Sequence, residues 1–153
     1  MTLALALPLL LLAEDVPPVP LVAEVAAAPG AALAAGAQGE APLRRDGESV
    51  VDPSASFRVE AGVPLADARL ALYDAEEALV AAEGIAEIGS AGSRFTLSPA
   101  LPLRPGTTYV LRLEGAAERE IRDLSGRRYR PLAFRLRTSG DPPRDPPRKR
   151  RRR

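Results

Sequence analysis

The carboxylates that stand close enough in sequence to act together are Asp74, Glu76 and Glu77. Paired carboxyl groups do general acid–base work when they face one another across a substrate and burial raises the pKa of one. Near neighbours in a polar stretch are solvated and point apart, so these three read as a turn. Asp123-Leu124-Ser125-Gly126 offers oxygens to a cation. A calcium loop, however, carries acids at alternating positions. Asp123 stands alone, with Arg127 and Arg128 behind it, and reads as the side chain that caps a turn reversed at Gly126. Gly89-Ser90-Ala91-Gly92-Ser93 lacks the strand-to-helix setting of a phosphate-binding loop and also reads as a turn.

Absences narrow the chemistry further. The chain has no His and no Cys. This removes Ser-His-Asp and Cys-His nucleophile systems, zinc held by His or Cys, haem ligation through either, and disulfides. The one lysine, Lys149, lies in the terminal basic run, so no lysine serves a Schiff base or a phosphate loop inside a domain. No catalytic residue, metal site or cofactor is expected, and an enzyme is the least supported function class. The strongest interaction signal is the run Arg148, Lys149, Arg150, Arg151, Arg152 and Arg153. Guanidinium groups bind phosphates bidentately, so the run is a candidate for weak binding to anionic polymers. The alternative is a solvated tail.

The elements that would position these residues are strands. In Ser56–Ala61, Phe57, Val59 and Ala61 face one way and the polar residues the other, the two-residue period of a half-buried strand. The period recurs in Arg94–Leu97, in Tyr109–Glu114 with Tyr109, Leu111 and Leu113 inward, and in Leu132–Thr138. Gly and Pro signals separate the runs at 62–64, 89–92, 99–106 and 125–126. Residues 65–83 are rich in helix formers, yet Arg69–Tyr73 alternates and Asp74–Glu77 suits a turn, so strand–turn–strand is preferred there to a helix.

Length and composition permit this. The 153 residues suit one domain with tails, and hydrophobic residues at 46% can build a core. Aromatics are only 4%, so the core should be aliphatic. The expected fold is an all-β sandwich of about seven strands over residues 21–139, with an edge strand near Leu21–Val25. Residues 14–20 read as a Pro-rich spacer, and residues 140–153 as a disordered Pro/Arg-rich basic tail that packs against nothing. Leu3–Ala13 is an apolar run too short to span a bilayer, of a length that suits the core of a secretory signal. The first 43 residues carry four acids and no base, whereas the last 13 carry seven bases and two acids, so the net charge of +1 conceals an acidic body and a basic tail.

One stretch carries a resemblance. Phe95-Thr96-Leu97-Ser98-Pro99 is followed by Leu103-Arg104-Pro105-Gly106-Thr107-Thr108-Tyr109. Then come Asp123-Leu124-Ser125-Gly126 and Phe134-Arg135-Leu136-Arg137-Thr138. This resembles the C-terminal half of a bacterial immunoglobulin-like domain of surface-layer and large exported proteins, over about a third of the chain. The usual Asn after the turn glycine is Arg127 here. A fibronectin type III module shares the Pro-Gly-Thr-x-Tyr element and remains open as the other assignment. The resemblance implies structural roles for Pro105, Gly106, Thr107, Tyr109, Asp123 and Gly126. It also implies an exported structural or adhesive module whose partner is a protein or an envelope polymer; a non-enzymatic monomer is expected, and the Asp-Pro-Pro-Arg units ahead of the basic run make the tail no membrane anchor. A buried Tyr109 needs a hydroxyl partner, which a backbone group a few residues upstream can supply. The alternative is a nucleic-acid-binding protein that uses the C-terminal arginine-rich arm.

Overall fold

A computed structural model describes residues 15–21, 32–37, 39–116 and 120–144. Among these the chain is all strand, turn and loop, with no helix. The strands are β1 (Ala32–Gly36), β2 (Gly39–Pro42), β3 (Glu48–Val51), β4 (Ser56–Ala61), β5 (Ala68–Tyr73) and β6 (Ala82–Ile88). They continue with β7 (Ser93–Pro99), β8 (Thr108–Gly115), β9 (Ile121–Arg122), β10 (Arg128–Tyr129) and β11 (Leu132–Thr138). One sheet has the order β2-β1-β4-β7-β6 and the other β3-β11-β8-β5, while β9 and β10 form a separate short hairpin. All strand pairs are antiparallel except β3 with β11.

The two large sheets pack as a β-sandwich. Phe57, Val59, Phe95 and Leu97 of one join Leu70, Leu72, Leu111, Leu113, Phe134 and Leu136 of the other in a single core. The alternation seen in the sequence explains which residues these are: in β11, Leu132, Phe134, Leu136 and Thr138 are buried and Ala133, Arg135 and Arg137 exposed. Each fully buried Leu or Phe contributes roughly 1.5–3 kcal/mol through removal of apolar area from water. The helix-forming stretch resolves as strand β5, a turn at Asp74–Glu77, and strand β6. Burial of Leu70 and Leu72 against the core overrides local propensity. The two strands do not pair with one another, because the chain crosses from one sheet to the other between them.

Three boundaries differ from expectation. Residues 15–20 are not a spacer: Val19 is completely buried, the Arg130 N–H donates to the Pro17 carbonyl, and the Gly62 N–H donates to the Pro20 carbonyl. Proline lacks a donor but keeps its carbonyl, so a Pro-rich segment can still dock along a strand edge through its carbonyls and through the N–H groups of the residues between the prolines. Leu21 pairs with Ala61, and residues 22–25 of the expected edge strand lie outside the described residues. Among the described residues the large sheets hold nine strands, since the Ala- and Gly-rich stretch supplies the hairpin β1–β2 without an alternation that announces it. At the other end, packing continues past residue 140. A Cβ on Gly106 would lie 2.6 Å from the Pro142 nitrogen and 2.9 Å from the Gly140 carbonyl oxygen, so the chain leaving β11 passes directly over that turn. The apolar run 1–13 and the basic residues 148–153 lie outside the described residues.

Candidate functional site

Three polar constellations stand out from the core, and each is built by strand register. The first closes one end of the sandwich. Pro105-Gly106 reverses the chain ahead of β8, with Gly106 at φ +61°, a left-handed conformation that disfavours a side chain. Tyr109 enters β8 facing the core, and its hydroxyl accepts a hydrogen bond of 3.0 Å from the Arg104 N–H. The upstream backbone partner is therefore a donor and the tyrosine an acceptor. Thr138, at the end of β11 and 1% exposed, completes the arrangement. Its hydroxyl accepts from the Thr107 N–H at 2.9 Å and donates to the Arg104 carbonyl, while the Gly106 N–H donates to the Thr138 carbonyl at 3.1 Å. Thr107 also donates its own hydroxyl to the Pro105 carbonyl. Pro105, Gly106, Thr107 and Tyr109 thus meet in one locked turn. Thr138 is the member that sequence reasoning missed, because a threonine closing an alternating strand gives no sign that its hydroxyl is aimed inward.

The second constellation is the Asp123 turn. One carboxylate oxygen accepts from the Ser125 N–H at 2.9 Å, the Ser125 hydroxyl at 2.6 Å and the Arg127 N–H at 2.9 Å. The other accepts from the Tyr129 hydroxyl at 3.0 Å. Gly126 sits at φ +86°. The Ser125 hydroxyl, with smaller help from the Arg127 N–H and Tyr129, holds the Asp123 carboxyl below its ordinary value. Burial, and then the bond to Asp123, push the Tyr129 phenol up. With four donors on it, the carboxylate is spent on the loop and not offered to a cation. Among the described residues no group of three or more acidic, His or Cys side chains converges to hold a metal.

This turn predicts a pH dependence. The folded Asp123 titrates lower than it does in the unfolded chain. Its contribution is therefore present above the unfolded value and lost as pH falls through the folded one. Thermal melts from about pH 7 down to about pH 2 should show a shallower acid limb for Asp123→Asn than for the wild type. Parallel acid limbs would mean that the loop donors do not select the charged form.

The third constellation was not legible as a site. Arg69, Ala71 and Tyr73 of β5 and Val110, Arg112 and Glu114 of β8 occupy the outer face of the four-stranded sheet, Arg69 lying opposite Glu114. Glu114 is nevertheless buried, and one of its carboxylate oxygens accepts from Arg69 at 3.0 and 3.2 Å and from the Tyr73 hydroxyl at 2.5 Å. That bond raises the Tyr73 phenol, with burial second. The Arg69 guanidinium stays half-exposed, so the pair keeps one partner hydrated. Beside it Arg112 lies over the Tyr73 ring at 4.7 Å and pairs with Glu77 at 3.1 Å. Asp74 caps its own turn by accepting from the Glu76 and Ala78 N–H groups. The three carboxylates at 74–77 are thus divided among a cap, an ion pair and an exposed side chain, and do not face one another.

No family model matches the chain, and neither a curated protein nor a solved structure matches it. Function must therefore be read from the chain's own geometry. A surface groove of about 540 Å³ is lined by Val80, Ala81, Leu101, Pro102 and Pro143, with Asp74 and Glu76 on its rim. It is an open surface of mixed polarity that Arg104, Thr107 and Tyr109 also line, and the Tyr109 hydroxyl and the Thr107 hydroxyl there are already committed to the turn.

Proposed function

We propose that the chain is an exported, non-enzymatic, immunoglobulin-like module of the cell envelope, structural or adhesive, that acts by shape. The observation that carries this reading is where its polar side chains are spent. Tyr109, Thr138, Asp123 and Glu114 are each satisfied by partners inside the fold, so the domain offers strand faces and edges to its surroundings. Strand order supports the immunoglobulin comparison. Taking β1, β4, β5, β6, β7, β8 and β11 as A to G gives A-B-E-D in one sheet and C-F-G in the other, the constant-type arrangement. Export rests on the apolar run Leu3–Ala13 and on the way packing begins just after it. A cut after Ala13 leaves only Glu14 and Asp15 ahead of the partly buried Val16. No helix among the described residues is long and apolar enough to cross a membrane.

N-terminal sequencing of the native protein, combined with cell fractionation, tests this. The expected result is a mature chain beginning at Glu14 in an envelope or medium fraction. An intact Met1 in the cytoplasm would overturn export. A second reading, nucleic-acid binding through the C-terminal arm, is favoured by Arg135 and Arg137, two further bases exposed on the outer face of β11.

A further inference from the structure

The four sheet edges of this sandwich are not alike. β2 is four residues long and ends in Pro42, and β3 is also four residues long. The edge of β5 is covered by its own chain, where Leu79 pairs with Tyr73 and the Val80 N–H donates to the Leu72 carbonyl at 2.8 Å. β6 differs from all three. It ends the five-stranded sheet, runs for seven residues without proline or lysine, and is exposed from Glu83 to Ile88. An edge strand of this length presents a row of backbone donors and acceptors that another extended chain can pair with.

Side chains say what that chain should be. Period-two alternation puts Glu83, Ile85 and Glu87 on one face of β6, with Ile85 59% exposed and Glu87 in a loose, exposed pair with Arg94 of β7 at 3.7 Å. Gly84 and Ala86 lie on the other face, where a Cβ on Gly84 would meet the buried Leu97 side chain at 3.5 Å, so the outward face alone carries the recognition side chains. The groove of Val80, Ala81 and Leu101 opens at the start of β6, where Ala82 pairs with Pro99, and carries two acids, Asp74 and Glu76, against one base, Arg104. A second copy of this chain is disfavoured in the register of fullest overlap: an antiparallel pair of β6 strands centred on Ile85 sets Glu83 against Glu87 twice, and like charges directly opposite are destabilising.

We propose that β6 is a strand-addition site for an extended polypeptide partner whose residues alternate, with basic side chains flanking an apolar one on the face that meets Glu83, Ile85 and Glu87. This names the recognition surface of the module read above and rests on its acting by shape, but not on its export.

The probe is a dye-labelled peptide, Thr-Arg-Thr-Val-Thr-Arg-Thr, titrated against the full chain by fluorescence anisotropy, beside a counterpart with glutamates for arginines. The arginine peptide should bind, with amide shifts in the protein's NMR spectrum confined to β6 and its flanks. The double variant E83R/E87R changes exposed side chains and, at Glu87, gives up the 3.7 Å pair with Arg94. It should bind the arginine peptide about tenfold more weakly and prefer the glutamate peptide, since each cross-strand ion pair turns repulsive. Equal binding by wild type and variant, shifts elsewhere on the sandwich, no binding at all, or self-association through β6 would each overturn the proposal. A chain found in the envelope that fails this titration leaves the proposed function standing, and a cytoplasmic chain that passes it leaves only the strand-addition site.

Discussion

Thr138→Val should lower the stability of the domain by about 2–4 kcal/mol, although the two side chains have nearly the same shape. The substitution unpairs one donor, the Thr107 N–H, and one acceptor, the Arg104 carbonyl, both part-buried, so each loss falls toward the low end of the roughly 1–3 kcal/mol that a buried group costs. For a domain of this size that corresponds to a fall in thermal midpoint of about 10 °C. Thr138→Ser keeps the hydroxyl and loses one methyl, so it should cost only about 0.8 kcal/mol. Tyr109→Phe unpairs the Arg104 N–H alone and should fall between, at about 1–2 kcal/mol. Denaturant melts of the three variants check the order. If Val and Ser at position 138 are equivalent, the hydroxyl does not hold the turn.

The second large effect concerns polyanion binding by Arg148–Arg153. Six bases that each displace a counterion from duplex DNA give a log–log salt slope of up to about −5, roughly a thousandfold loss of affinity for a fourfold rise in salt. Deleting residues 145–153 should abolish that binding and leave the thermal midpoint unchanged. The cut belongs after Arg144 and not after Gly140, because Pro142 lies against the Gly106 turn and its removal would confound a binding loss with a folding loss. Heparin and duplex DNA titrations at two salt concentrations decide the matter. If the shortened chain binds as well as the full one, the arginines on the outer faces of β8 and β11 are the site.

Legibility followed periodicity. Where one face of a strand is core and the other water, the sequence must alternate, and β4, β7, β8 and β11 could be drawn with their inward residues from that alternation alone. The Asp123 turn was equally plain, because Asp, Ser and Gly at that spacing have few other uses. Three kinds of feature were hidden. β1 and β2 are made largely of alanine and glycine, whose small side chains blur the contrast between faces. Val19 sits among prolines and looks like linker, yet tertiary contacts bury it. The Arg69–Tyr73–Glu114 cluster depends on residues about 45 apart meeting across β5 and β8, a matter of register that local pattern does not carry.

The parallel pairing of β3 with β11 has a mechanical consequence. Arg135, Leu136, Arg137 and Thr138 lie beside Glu48, Ser49, Val50 and Val51 in the same direction, so the chain enters β3 at one end of the pair and leaves β11 at the other. Tension between those two points runs along the strands and loads the bonds between them side by side. They must then yield together, whereas a hairpin pulled at its open end would unzip, its bonds giving way in succession. Force arriving from the N-terminal side must first detach residues 15–21, held at Arg130 and Gly62, and the hairpin β1–β2 before it reaches β3, so this side-by-side loading makes β3 and β11 the last pair to part.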